Sequence, residues 1–147
     1  MRQAPRKNIK QVLVFGNFDL LHPGHRSLLR QAKRHGHRLI VAVTRDAVAQ
    51  IIRGHKLAQS ERTRLAAIKA LPYVYKACLG DKTPKHNFHL VKLIKPDVIC
   101  LGYDQRSKIP SLKRRFEKIG LHIKIIRLKP FKPRQYKSSL LRRKLNK

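Results

Sequence analysis

The chain has 147 residues and a mass of 17.1 kDa, enough for one domain with a sizeable core, and its 41% hydrophobic content argues against a disordered chain. No segment approaches the roughly 20 apolar residues of a membrane span, and the apolar run after the basic start is too short for a signal peptide. The 36 Lys and Arg against 7 Asp and Glu give a formal net charge of +29, which favours polyanionic partners or, alternatively, a solvated basic surface.

The predicted strands and helices alternate along the chain. A basic arm over residues 1–10 precedes a single domain over residues 11–147. In chain order, hydrophobic patterning predicts a strand at 11–15, a helix at 23–35, a strand at 38–43, helices at 46–52 and 60–71, a strand at 74–79, a helix at 88–94, a strand at 97–101, a helix at 110–119, a strand at 122–127 and a last helix from Ser138. The strands are mostly apolar throughout, which is typical of parallel strands covered on both faces. The sequence therefore predicts an α/β fold, a single-domain doubly wound parallel sheet of five strands.

The segment after the first strand is the predicted ligand site, because doubly wound sheets bind ligands beyond the carboxyl ends of strands. It reads GNFDLLHPGH over residues 16–25. Gly16 permits a turn and a close approach to a ligand, and Gly24 is expected to leave amides free for a phosphate at a helix start. His22 and His25 lie three residues apart, so both imidazoles can stabilise charge on a transferring phosphoryl group.

Two alternatives for the histidine pair stay open at this stage. A metal site is one, although the spacing differs from the i, i+4 arrangement of HExxH zinc sites and lacks its Glu. Two incidental polar side chains at a helix start are the other.

Several segments together resemble the cytidylyltransferase-like nucleotidyltransferases. FGNFDLLHPGHRSLLRQAK is similar to the G-x-F-D-x-x-H-x-G-H signature of that family. TRDAVAQIIRGHKLAQSERTRLAAIKAL resembles its second helix, lysine-bearing loop and following helix; LGYDQ resembles the turn after its fourth strand, and KPFKPRQYKSSLLRRKL its closing segment. The similarity covers residues 11–145 and lies nearest to archaeal-type FAD synthases and glycerol-3-phosphate cytidylyltransferases.

The resemblance implies a reaction without a covalent intermediate, in which an acceptor phosphate attacks the α-phosphorus of an NTP and Mg²⁺-pyrophosphate departs. It implies that His22 and His25 hold the transferring phosphate and that Lys56 neutralises the phosphates from its loop. The nucleotide-binding residues it implies are Gly16, Asn17, Phe18, Asp19, Gly24, Gly102, Asp104, Gln105, Ser138 and Ser139, with Arg64 and Lys137 as further candidates. It supplies no metal-ligating residues.

Some implied roles have structural alternatives. Arg64 is equally well explained as a salt-bridge residue of its helix, Asp104 as a turn former and Ser138 as a helix N-cap. CTP and ATP stay open as the donor, and FMN and glycerol 3-phosphate as the acceptor. Members of the family are commonly homodimers, so a homodimer is expected.

Two further expectations concern cysteines and charge. Cys78 and Cys100 lie in apolar runs and are expected to be buried, reduced thiols of a cytoplasmic protein. From Gln105 to Lys147 the chain has sixteen Lys or Arg and one acid, Glu117. This asymmetry keeps a rival interpretation open, a protein that binds nucleic acid without sequence preference on the same fold.

Overall fold

The computed structural model describes residues 9–85, 87–103, 105 and 108–130. Its five strands are β1 (Gln11–Gly16), β2 (Arg38–Val43), β3 (Lys76–Leu79), β4 (Val98–Leu101) and β5 (Lys124–Arg127). Its five helices within these residues are α1 (Pro23–Lys33), α2 (Asp46–Arg53), α3 (Glu61–Lys69), α4 (Phe88–Ile94) and α5 (Ile109–Glu117). The predicted helix from Ser138 and residues 1–8 of the predicted arm lie outside the described residues.

The five strands form one parallel sheet in the order β3-β2-β1-β4-β5. The chain proceeds from β1 outward to β2 and β3, and then returns to the other side of β1 for β4 and β5. The strand order therefore reverses between β1 and β4, whose carboxyl ends are Gly16 and Leu101. This is the switch point at which doubly wound sheets bind ligands.

Both faces of the sheet are buried, as the unbroken apolar strands predict. On one face Val12 and Val14 of β1 pack with Leu29 of α1 and Ile68 of α3. On the other face the alternate β1 residues Leu13 and Phe15 pack with side chains of α4 and α5. The doubly wound α/β fold is thus confirmed.

For the elements within the described residues, each predicted boundary falls within two residues of the observed one. The prediction extended α1 to His35, but the helix ends at Lys33 because residues 34–36 form tighter i→i−3 hydrogen bonds. Gly36 follows these turns at a close approach of the chain, since a Cβ there would lie 2.6 Å from Val12 Cγ2 and 2.8 Å from the Lys10 carbonyl oxygen.

The two cysteines are free, Cys100 fully buried and Cys78 partly buried. Burial raises the pKa of Cys100 to about 12 and raises that of Cys78 as well, so both stay protonated thiols near neutral pH. Within the described ranges, no helix combines the length and apolar character needed to cross a membrane.

Candidate active site

The loop after β1 contains two residues with an uncommon backbone conformation. Phe18 and Leu20 both have φ of 52°, in the left-handed region that residues other than glycine seldom occupy. The Phe18 ring is buried in the core, and a Cβ on Gly16 would lie only 3.2 Å from it. Gly16 therefore leaves room for the loop to fold its aromatic ring back against the end of β1. Such backbone strain persists where the surroundings hold it, and it concentrates at functional sites.

His22 is the N-cap of α1. Its Nδ1 accepts hydrogen bonds from the backbone N–H groups of Gly24 at 3.0 Å and His25 at 3.4 Å. An accepting Nδ1 assigns the imidazole proton to Nε2. The expectation of a free amide at Gly24 is therefore wrong, because His22 accepts that N–H. The hydrogen-bond donor of this side chain is then its buried Nε2–H.

The second histidine of the pair lies against the first. The rings of His22 and His25 stack with centroids 3.7 Å apart and an interplanar angle of 22°. Phe18 meets the His25 ring edge to face, with centroids 5.5 Å apart. Burial, followed by the charge of His22, lowers the pKa of His25 to about 3, and burial also lowers the pKa of His22. Both imidazoles are consequently neutral at pH 7.

Asp19 fastens the loop that carries Lys56 to the loop after β1. Its buried carboxylate accepts hydrogen bonds from the backbone N–H groups of Ala58 at 2.8 Å and Gln59 at 2.9 Å. In return, Gln59 Oε1 accepts a hydrogen bond from the Leu20 N–H at 3.0 Å. The side chain of Lys56 is exposed. Asp19 thus ties down the segment directly after Lys56, a loop that follows the left-handed Gly54 at the end of α2.

Arg64 is completely buried, at 0% exposure. Its guanidinium donates to the Gln59 carbonyl at 3.1 Å and the Asn17 carbonyl at 2.8 Å, and it forms an ion pair with Asp46 at 2.7 Å. The salt bridge that the sequence allowed is therefore present. Its other two contacts join both loops of the site, which is a positioning role.

The turn after β4 is held to β1 by Gln105. The Gln105 side chain accepts from the Gly102 N–H at 2.8 Å and donates to the Phe15 carbonyl at 2.7 Å. Arg127, at the end of β5, donates to the carbonyls of Gly102 and Gln105 at 3.2 and 2.6 Å. The two strands at the switch point are thereby joined by side chains, and the Gln105 amide is occupied in holding the turn.

The candidate residues fall into three groups. Gly16, Asn17, Phe18, Asp19, His22, Gly24 and His25 form the loop and helix start after β1, with Lys56 and Arg64 in the adjoining loop and helix, and Gly102 and Gln105 beyond β4. Asp104, Lys137, Ser138 and Ser139 lie outside the described residues. Among the described residues, no group of three or more His, Cys, Asp or Glu side chains could hold a metal ion.

The sequence analysis did not identify three residues that hold the loops of the candidate site in place: Asp46, Gln59 and Arg127. The position of Asp46 at the first residue of a predicted helix was a usable signal, because acids there often cap backbone N–H groups. Asp46 and Glu61 do this reciprocally, each accepting from the other's backbone N–H. Gln59 and Arg127 carry no local signal, since their partners are distant in the sequence.

Comparison with known proteins gives consistent matches. The cytidylyltransferase-like family model matches residues 13–144. A FAD synthase of Methanosarcina mazei is 40% identical over 125 residues, covering 85% of this chain and 80% of that protein. A FAD synthase of Thermoplasma volcanium is 36% identical over 138 residues, covering 92% and 93%. A solved structure from Thermoplasma volcanium, described as a lipopolysaccharide core biosynthesis protein, matches with a TM-score of 0.79 and 35% identity, covering 84% of this chain and 99% of that one.

Proposed function

The chain belongs to the cytidylyltransferase-like family of nucleotidyltransferases, and on that premise we propose that it transfers AMP from ATP to FMN with release of pyrophosphate. FAD is FMN with AMP joined to its phosphate through an anhydride bond. Relatives named FAD synthase, 36% to 42% identical, therefore favour ATP over CTP and FMN over glycerol 3-phosphate. The observation that carries the proposal is the stacked pair of neutral imidazoles at the start of α1, beside the switch point of the sheet.

In the proposed reaction an oxygen of the acceptor phosphate attacks the α-phosphorus of ATP, and the bond from that phosphorus to the bridging oxygen of pyrophosphate breaks. His22 donates its Nε2–H to an oxygen of the α-phosphate as charge builds there. His25, stacked on it, has a low pKa and stays neutral. Neither ring therefore acts as a fixed cation in the free protein; both act as positioned hydrogen-bonding groups.

The remaining charge on the triphosphate is met from other parts of the chain. Lys56 approaches the phosphates from the loop that Asp19 anchors. The hydroxyls of Ser138 and Ser139 bind the β- and γ-phosphates, as the family resemblance implies, with Lys137 beside them. Mg²⁺ enters as part of the substrate, bound to the phosphates of ATP, because it prefers phosphate and water oxygens as ligands.

The nucleoside is proposed to lie over the turn after β4. Gly102 is the first residue of this turn, and Asp104 is implied by the resemblance alone. The Gln105 amide bonds Gly102 and Phe15, which supports a role in shaping the turn instead of contacting the base. With both thiols reduced, we also propose that the protein acts in the cytoplasm.

Pyrophosphate release tests this proposal. The protein is offered Mg²⁺ with ATP or CTP, each combined with FMN or glycerol 3-phosphate, and only ATP with FMN should release pyrophosphate at a high rate. Lys56→Met should lower that rate by roughly 10- to 1000-fold, because it removes a cation from the transition state. Lys69→Met, an exposed lysine at the end of α3, is the matched control and should leave the rate unchanged. Equal rates for the two variants would remove Lys56 from the mechanism, and release with CTP and glycerol 3-phosphate alone would overturn the substrate assignment.

A further inference from the structure

A strongly basic surface lies on the sheet face opposite α1. The two helices α4 and α5 pack side by side there, and the rings of Phe88 and Phe116 stack with centroids 6.2 Å apart. Together with the residues that lead into them, they form what we call the α4–α5 surface, described at 82–85, 87–95 and 108–118. It contains a single acid, Glu117, and nine exposed cations: Lys82, Lys85, Lys92, Lys95, Lys108, Lys113, Arg114, Arg115 and Lys118.

These cations are not neutralised within the described part of the chain, where none of the nine forms an ion pair. The nearest acid in sequence outside the surface, Asp81, lies at the start of α4, where its carboxylate accepts the backbone N–H groups of His89 and Leu90 and, in the described ranges, forms no ion pair with any of the nine cations. The positive charge of this face therefore points to solvent and is available to an anionic partner.

Two of the cations converge on one aromatic ring. Lys92 Nζ lies 5.7 Å and Arg115 Cζ 5.9 Å from the centre of the Phe88 ring. The attraction of both cations to the ring gathers two like charges from different helices at the same place. Their mutual repulsion falls when an anion binds close to both of them.

We infer that the α4–α5 surface binds the phosphate backbone of a nucleic acid. The partner is a polyanion because nine cations spread over two helices exceed what one phosphate needs. An anionic membrane fits less well, since Leu93, at 81% exposure, is the one large exposed apolar side chain among the described residues of this surface. Phe88 is half-buried and already contacts two cations, so its ring does not stack on nucleic-acid bases. Binding is therefore independent of base sequence.

This binding is separate from the proposed transfer reaction. The histidine pair lies at the start of α1, which packs on the other face of the sheet. A variant that no longer binds nucleic acid can therefore still catalyse the transfer reaction, and a catalytically inactive variant can still bind nucleic acid. Each activity can be measured in a variant that lacks the other.

The experiment measures the affinity of the full chain for a fluorescent 20-nucleotide oligo(U) by anisotropy over a series of salt concentrations. The test variant replaces four cations of the surface with Gln: Lys92, Lys113, Arg115 and Lys118. The matched control removes the same charge from exposed positions outside α4 and α5, by changing to Gln the residues Arg34, Arg62, Lys69 and Lys76. Circular dichroism verifies that both variants fold, and vesicles of anionic phospholipid serve as the second probe.

Wild-type protein should bind oligo(U) with a dissociation constant on the order of 10 µM at about 0.15 M salt. The test variant should lose on the order of 100-fold in affinity, and its plot of log affinity against log salt should be shallower by roughly 2 to 3, at about 0.7 per lost phosphate contact. The control should lose about 5-fold or less. Equal losses in the two variants, no binding near physiological salt, or binding to vesicles but not to oligo(U) would each overturn the inference.

Discussion

The double role of His22 allows its contribution to stability to be separated from its contribution to catalysis. Nδ1 caps α1 by accepting the N–H groups of Gly24 and His25, while Nε2–H is the donor proposed for the α-phosphate. His22→Ala removes both functions. His22→Asn keeps a side-chain oxygen of good capping character at this position and removes only the imidazole donor.

The structure sets the expected sizes of the two effects. Loss of the cap in His22→Ala should lower the free energy of unfolding by about 1 kcal/mol, measured by urea denaturation, and the melting temperature by about 2–4 °C. His22→Asn should recover most of this stability. Both variants should lose roughly 100- to 1000-fold in the rate of pyrophosphate release, as expected when a donor to the transition state is removed. Recovery of the rate together with the stability in His22→Asn would refute the donor role and leave His22 as a cap alone.

Three other predictions follow from the same site. The pKa of His25 is near 3 in the fold and 6.5 in the unfolded chain, so the unfolded state binds more protons between these two pH values. The free energy of unfolding should therefore fall by about 2 kcal/mol from pH 7 to pH 4.5. His25→Gln should make the free energy of unfolding, measured with urea, depend less on pH in this range. Asp19→Asn should lower the free energy of unfolding in urea by about 1–3 kcal/mol and raise the KM for ATP, because one backbone N–H of the Lys56 loop loses its acceptor. Glu117→Gln, at an exposed position, is the control and should change neither quantity. We also expect a homodimer at physiological ionic strength, and a monomeric mass by light scattering at every salt concentration would contradict it.

The fold was predictable because its determinants are local. Runs such as Val12–Phe15, apolar at every position, require cover on both faces of a strand, and that requirement favours parallel strands with helices between them. The histidine pair was found for a related reason, since its spacing and its place after the first strand are visible in a single short segment. The errors at helix ends arise where tight turns continue a helix, as at residues 34–36.

The connections between segments were not predictable, because they depend on contacts across long stretches of chain. Arg64 was predicted as a site candidate or a salt-bridge residue of its helix, but its complete burial among acceptors from three separate segments was not visible in the sequence. Asp19 bonds backbone groups about 40 residues away, at Ala58 and Gln59. The prediction of a free amide at Gly24 was wrong for a local reason, because Nδ1 of His22, two residues earlier, accepts that N–H.

Label transfer tests the central claim, that an adenylyl group passes from ATP to FMN, most directly. The protein is incubated with Mg²⁺, FMN and ATP carrying ³²P at either the α- or the γ-position, and the products are separated by chromatography. We predict that the α-label appears in FAD and the γ-label only in pyrophosphate, with both products forming roughly 100- to 1000-fold more slowly in the His22→Asn variant. Gamma-label in a flavin product, or α-label that never leaves ATP in the presence of FMN, would contradict the account.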